Sequence, residues 1–207
     1  MQKIPGIFKN YRNFLPLFPA AIESFDLKKF DLIISSSHCV AKGAVRGKNA
    51  VHVCYCHTPM RYAYDQFGNY FSEEKNGKIK YFLIKKIMPA LRNWDVKTSA
   101  RVDYFIANSE NVRQRIKKYY DMESEVSYPP VDTNFFTVDD KVKREDFYLL
   151  AGALAEYKKP DFVVKMFSER LKDKKLMVVG NGAMSDYIEK IKGENVILRK
   201  DATDEEL

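Results

Sequence analysis

The stretch Val51-His-Val-Cys-Tyr-Cys-His-Thr-Pro59 decides the fold. Its first six residues form a short apolar run of strand character that ends at His57 and the turn-forming pair Thr58-Pro59. Such a run, closed by turn residues, reads as a buried strand of a parallel sheet. Upstream, Asp31-Leu-Ile-Ile-Ser35 has the same form and leads into polar residues. Between Asn10 and Leu27, apolar residues at helical spacing are interrupted by Pro16 and Pro19, which predicts short helices broken by proline. Downstream, Ile79, Phe82, Leu83, Ile87, Ala90, Leu91 and Trp94 recur at threes and fours. They predict a long amphipathic helix from Lys78 to Ala100, bent near Pro89, with Lys85, Lys86 and Arg92 on its exposed face. Val102 to Ala107 reads as the next strand, and Ser109 with Glu110 caps a helix that runs to Tyr120.

The same rhythm returns later in the chain. Val126-Ser-Tyr128, Pro129-Pro130 and a polar stretch up to Asp146 have the composition of an interdomain connection. Residues 1–130 are therefore expected to be one domain, 131–146 the connection and 147–207 a second domain. In the latter, Phe147 to Gly152 reads as a strand and Pro160 to Leu171 as a helix opened by proline. Leu176 to Val179 is another strand, ending in Gly180-Asn-Gly182. Strands alternating with helices predict two α/β domains on parallel sheets, with ligands beyond the carboxyl ends of the strands. Thr203-Asp-Glu-Glu206 is a capping box that announces a helix, and the first buried strand comes only at Asp31. Both domains are accordingly expected to be incomplete in this chain.

Composition narrows the function classes. With 45% hydrophobic and 14% aromatic residues over 207 positions, the chain can build cores, which excludes disorder. Lys and Arg number 35 against 28 Asp and Glu, and the stretch from Ser72 to Lys118 holds twelve bases and five acids, which is the whole surplus. Clustered positive charge serves a phosphorylated substrate, an anionic membrane or nucleic acid, or is simply a solvated helix face. A nucleic-acid partner is not expected, because no recognition motif or interleaved aromatics accompany the charge. Cys39, Cys54 and Cys56 are odd in number and crowded, unlike a disulfide framework, and fit a reducing cytoplasm. No run approaches the length of a membrane span and no signal-peptide core precedes Asn10. A cytoplasmic protein, soluble or peripheral at the membrane's inner face, is expected.

Several residues could carry chemistry. His52, Cys54 and Cys56 share one strand face, whereas structural zinc sites pair ligands across a turn, and haem attachment needs a different order. Small cysteines packed in a buried strand are the expected state, with no metal. His57 falls where its strand ends, so it either meets a sugar hydroxyl or a proton in a cleft, or caps the loop backbone. Gly152-Ala-Leu-Ala-Glu-Tyr-Lys158-Lys-Pro160 joins a strand end to a helix start with a lysine just ahead of it, an arrangement that suits a phosphate. Gly180-Asn181-Gly182 either lets a backbone approach a ligand or makes an ordinary turn.

In order, these segments resemble the retaining glycosyltransferases of group 1, or family 4, especially bacterial and archaeal mannosyltransferase-like members. The blocks that carry the resemblance are Ile34-Ser-Ser-Ser-His-Cys-Val-Ala-Lys-Gly43, Cys54-Tyr-Cys-His-Thr-Pro-Met-Arg-Tyr62 and Tyr128-Pro-Pro-Val-Asp-Thr-Asn-Phe-Phe136. Tyr157-Lys-Lys-Pro-Asp161 and Val178-Val-Gly-Asn-Gly182 add to them. The resemblance implies two Rossmann-like domains in the GT-B architecture, an acceptor held by the first and a nucleotide-sugar by the second. It implies no metal and no cofactor, the nucleotide-sugar being a co-substrate and GDP-mannose the foremost donor. His57 would contact the transferred sugar, Arg61 would lie on the acceptor side, and Lys158 would bind the donor diphosphate. Gly152, Gly180, Asn181 and Gly182 would flank the nucleotide. Ala153 stands where many members have an arginine, and Lys200 where many have glycine. The family's paired glutamates and first glycine-rich loop are not in this chain, so little or no transferase activity is expected of these 207 residues alone. The expected reaction is transfer of a hexose to a lipid-linked or polysaccharide acceptor in surface glycan assembly, with the basic region meeting an anionic membrane or a lipid pyrophosphate. The competing expectation is a non-catalytic nucleotide-binding module or a decayed glycosyltransferase fragment.

Overall fold

A computed structural model describes residues 11–138 and 143–203. The chain forms two compact units, Met1–Asp132 and Thr133–Leu207. Met1 to Asn10 and the helix expected after Thr203 lie outside the described residues, as do residues 139–142 of the expected connection.

In the first unit a 3-10 helix, Tyr11–Leu17, contains Pro16 and runs into helix α1, Phe18–Glu23, with Pro19 in its first turn. This is the proline-broken pair that the spacing predicts. Strand β1, Leu32–Ser37, pairs in parallel with β2, Val51–Cys56, which in turn pairs with β3, Tyr104–Ala107. Short helices α2, Phe67–Tyr70, and α3, Glu73–Asn76, then the long α4, Lys78–Ser99, lie between β2 and β3. Helix α5, Glu110–Tyr120, connects β3 to β4, Ser124–Val126. Parallel neighbours need such crossovers, and the strand order is sequential, β1-β2-β3-β4. Val126 therefore ends a sheet strand, where the composition predicts the start of the connection.

The alternation of β2 sorts its side chains as the sequence requires. His52, Cys54 and Cys56 point to the buried face, and the two cysteines join Phe105, Ala107, Val112, Ile116 and Tyr120 in one core under α5. On the opposite face Leu32, Ile34, Val51 and Tyr104 are exposed. A second cluster, Met60, Ala63, Met88 and Leu91, fixes α4 against the loop after β2.

Helix α4 occupies the expected residues but not the expected phase. Met88, Leu91, Asp95, Thr98 and Ser99 are its buried positions, while Ile79, Phe82, Leu83 and Ile87 are exposed. Arg92, expected on the outer face, turns inward instead: its Nε donates to the carbonyl of Ala63 and its guanidinium lies 5.7 Å from the Phe67 ring. Among the described residues no helix is long and apolar enough to cross a membrane.

The second unit holds a three-stranded parallel sheet in the order β5-β6-β7, with β5 at Tyr148–Ala151, β6 at Leu176–Val179 and β7 at Val196–Arg199. Helices α6, Pro160–Glu169, and α7, Ser185–Ile191, supply the crossovers. Val164, Phe167, Ile188 and Leu154 pack on Leu176, Val178 and Val196 as its core. Proline at the first position of α6 has no amide hydrogen to lose there, which is why the helix starts where the sequence predicts. Both units are thus α/β with parallel sheets.

Candidate active site

The carboxyl ends of β1, β2 and β3 lie side by side, since Ser37 is in register with Cys56 and Cys56 with Ala107. Each strand therefore delivers its next residues to one edge: His38, His57 with Thr58, and Asn108 with Ser109. These residues line a cleft of about 440 Å³. Arg61 and Tyr62 complete it from the loop after β2, Tyr70 from α2, and Val112 and Arg115 from α5.

His57 is anchored twice. Its backbone N–H donates to the carbonyl of Ser37 at 2.8 Å, and its ring Nε2 shares a 2.7 Å hydrogen bond with the Ser36 hydroxyl. The Tyr55 ring meets its edge at 5.3 Å. The ring is held at the cleft surface and exposed, so a proton or a hydroxyl can reach it. The structure thus gives His57 a cleft as well as a loop-fastening bond.

Helix α5 begins at this cleft because Ser109 caps it. The Ser109 hydroxyl accepts from the Val112 N–H at 3.3 Å, and Ser109 itself is extended. A helix start brings unpaired N–H groups and the positive end of the helix dipole. Arg115 adds a guanidinium that donates to the Thr58 hydroxyl at 3.0 Å and pairs with Asp65 at 2.8 Å. The Tyr119 hydroxyl on Asp65, then Arg115, hold the Asp65 carboxyl below its usual range. No carboxylate is among the residues lining the cleft. Two arginines, two histidines and a helix start without a lining acid form a surface suited to anions and sugar hydroxyls.

The wall behind it is packed. The Tyr62 hydroxyl contacts the Cys39 sulfur at 2.6 Å, and burial pushes the tyrosine's pKa up. His52 lies outside the cleft, buried between the Ser35 hydroxyl at 2.9 Å and the Arg101 carbonyl at 3.2 Å. Cys54 and Cys56 are buried and free of disulfides, and the Cys56 thiol is pushed up, first by its contact with Cys54 and then by burial. Among the described residues no group of three His, Cys, Asp or Glu side chains is placed to hold a metal ion.

In the second unit, Gly152 and Gly180 follow the carboxyl ends of β5 and β6, with φ of 132° and 133°. Gly180 is required by its neighbour, because a Cβ there would lie 2.1 Å from the carbonyl oxygen of Gly152. At Gly182 a Cβ would lie 2.5 Å from the Leu154 carbonyl oxygen. The Asn181 side chain accepts from the Gly182 N–H and the Ser185 hydroxyl, both at 2.8 Å, which closes the turn into α7. The two loops are thus packed backbone to backbone, and the glycines are accounted for by that contact.

Lys158 ends a 3-10 turn, Glu156–Lys158, just before α6. Its ammonium stands 3.3 Å from the position a Cβ on Gly152 would take. The structure therefore brings Lys158, Gly152 and Gly180 to one edge of this sheet. Ala153 is exposed beside them, and Lys200, after β7, lies 3.7 Å from Asp186. A second cleft of about 580 Å³, lined by Lys172 to Lys175 and Gly193 to Asn195, lies at the amino ends of β6 and β7, away from these residues. The carboxyl edge, where the cation and the glycine loops coincide, is the ligand side of such sheets.

His38, Thr58, Asn108 and Arg115 join the first cleft without having been singled out in the sequence. The rule that selects His57, a polar residue just past a strand, also selects His38 and Asn108. Arg115 is reached only through the helix, since it lies on the same side of α5 as Val112.

Known proteins agree with this fold. The chain is similar to the pneumococcal O-GlcNAc transferase GtfA, whose crystal structure contains UDP and GlcNAc. The two are 17% identical with a TM-score of 0.52. The likeness covers 92% of this chain and 38% of that one, so this chain spans well under half the length of the protein it matches. It shows the fold, α/β with parallel sheets of the Rossmann-like GT-B kind. No curated protein matches the sequence. The model of Glycosyltransferase Family 4 matches residues 2–135, which is about two thirds of the chain and includes every residue of the first cleft, and the chain belongs to that family.

Proposed function

We propose that the protein transfers a hexose from a nucleotide-sugar to a lipid-linked or polysaccharide acceptor, with acceptor recognition on the first unit and donor phosphate recognition on the second. The observation that carries the reading is the cleft where His57, Arg61 and Arg115 stand beside the start of α5 with no lining carboxylate. Such a surface takes a phosphorylated acceptor and hydrogen-bonds sugar hydroxyls. In the reaction, the bond from the anomeric carbon to the diphosphate oxygen breaks and its electron pair leaves with the nucleoside diphosphate. The acceptor oxygen bonds that carbon on the same face, and the acceptor's proton passes to the departing phosphate. Lys158 and the amides near Gly152 would stabilise the charge that develops on that phosphate. His57 would hold a hydroxyl of the transferred sugar.

Mannose from GDP-mannose is the donor we favour, from the resemblance of the five sequence blocks. No further cofactor or metal enters this reading. One observation favours a non-catalytic nucleotide-binding module instead: Ala153 stands beside Lys158 where a second phosphate contact would be.

Titration of the purified chain with GDP, GDP-mannose and UDP-sugars tests the donor reading. Saturable binding of a nucleotide-sugar supports it, and a chain that binds none of these nucleotides overturns it. Single-turnover transfer to a lipid-linked acceptor, measured on a chain that joins these residues to the family's paired glutamates, separates the transferase from the non-catalytic module.

A further inference from the structure

Helix α4 is apolar on two opposite sides. One turn takes about 3.6 residues, so Met88, Leu91 and Asp95 define the packed stripe and Ile79, Leu83 and Lys86 fall roughly opposite it. Ile79, Phe82 and Leu83 are exposed by 80%, 58% and 53% and form a ridge that the core does not use. Lysines 78, 80, 85 and 86 border the ridge, and no acid occurs between Lys78 and Trp94. The Lys86 ammonium lies 5.3 Å over the Phe82 ring, with its stem along the apolar surface and its charge outward. The nearest acids in sequence are Glu73 and Glu74, on the preceding α3.

We propose that the first three turns of α4 dock this unit on an anionic lipid bilayer. Ile79, Phe82 and Leu83 enter the boundary between headgroups and acyl chains, and the four lysines meet the headgroup charge. The occupant follows from the charge pattern. A second copy would set lysine against lysine, whereas a bilayer offers a uniformly negative plane with an apolar interior beneath it. Tyr81, on the packed side of α4, is 6.5 Å from Phe67 of α2, the helix that ends in Tyr70 of the cleft. The ridge lies across α4 from that contact, roughly one helix diameter away. The proposal rests on the lipid-linked reading of the acceptor and deepens it.

Co-sedimentation of the chain with vesicles tests it, comparing pure phosphatidylcholine with phosphatidylcholine containing phosphatidylglycerol, at low and high salt. Binding to the anionic vesicles that weakens with salt is expected. The pair Phe82→Ser with Leu83→Ser, and separately Lys85→Glu with Lys86→Glu, should each lower partitioning roughly tenfold or more. Both pairs are exposed, so thermal melts by circular dichroism should stay at the wild-type midpoint. Absent binding, equal binding to both vesicle types, or full binding by the serine pair overturns the proposal. So does a dimer in solution that the serine pair abolishes. Titration of the same preparations with GDP, GDP-mannose and UDP-sugars separates the two readings: nucleotide binding without vesicle binding removes only the docking surface, and the converse removes only the transferase.

Discussion

The Lys42 ammonium lies 3.1 Å from the Asp95 carboxylate, and both side chains are buried, at 1% and 0% exposure. Lys42 also donates to the Asp95 carbonyl and to the Thr98 hydroxyl, and stands 4.5 Å over the Tyr120 ring. The other carboxylate oxygen accepts from the Tyr64 and Tyr120 hydroxyls, each at 2.9 Å. Burial pulls the lysine's pKa below its ordinary value, while the attraction of Asp95 opposes the shift. One ion pair thus ties α4 to the loop after β1, the loop after β2 and α5, and these last three border the cleft.

Breaking such a pair from one side leaves a buried charge unpaired, which costs about 3–5 kcal/mol. Lys42→Met is expected to lose that much in denaturant unfolding. In the double variant Lys42→Met with Asp95→Asn, the amide still accepts from the two tyrosines and no lone charge remains. Its loss should be smaller than the sum of the single losses by about 1–3 kcal/mol. Additive losses would mean that the two residues act separately.

Much of this fold could be read from short apolar runs. Val51–Cys56 and Glu110–Tyr120 form where their pattern and caps place them, because strand alternation and a serine cap are local signals. The phase of α4 could not be read, because the apolar residues of its first half lie on two opposite sides and periodicity then has no single direction. Only the partner loop, Met60 to Ala63, decides which side is buried. The Lys42–Asp95 pair was equally hidden, since its members are far apart in sequence and a lysine ordinarily reads as surface. His57 was legible from its place past a strand, and Arg115 was not, because its role depends on where α5 lies.

His52 should make stability depend on pH near neutrality. It is wholly buried, and burial, the largest effect, lowers its pKa from 6.5. Between the folded value and 6.5 the unfolded chain therefore holds more protons than the folded one, so stability falls as pH drops through that window. The slope cannot exceed about 1.4 kcal/mol per pH unit for one group. Urea midpoints measured from pH 8 to 5.5 should decline below 6.5 in the wild type. His52→Gln should be less stable at pH 8 but lose that decline. An unchanged decline in the variant would assign it to other groups.

Two glycines, one in each unit, separate steric need from openness. Gly180→Ala meets both a φ of 133° and a carbonyl oxygen 2.1 Å away, and should cost at least about 2 kcal/mol. Gly68→Ala, inside α2 and with no atom within 4 Å, should change stability by less than about 0.5 kcal/mol or raise it slightly. Thermal melts of the two variants check this, and similar midpoints would show that the packed loops yield easily.

The proposed donor recognition divides His57 from Lys158. Lys158 is exposed beside Gly152 at the edge of its sheet, so its removal should disturb little of the fold. A charge-assisted contact to a phosphate contributes about 1.5–3 kcal/mol, which corresponds to roughly a ten- to hundredfold change in affinity. Lys158→Ala should weaken GDP binding by that factor, and Lys158→Arg should recover part of it because a cation remains. His57 belongs to the other unit and would touch the sugar rather than the diphosphate. His57→Ala should therefore leave GDP affinity within about twofold while weakening GDP-mannose relative to GDP. Calorimetric titration of the three variants with both ligands measures each ratio. Equal losses of GDP binding on changing His57 and Lys158 would refute the division of labour between the two units.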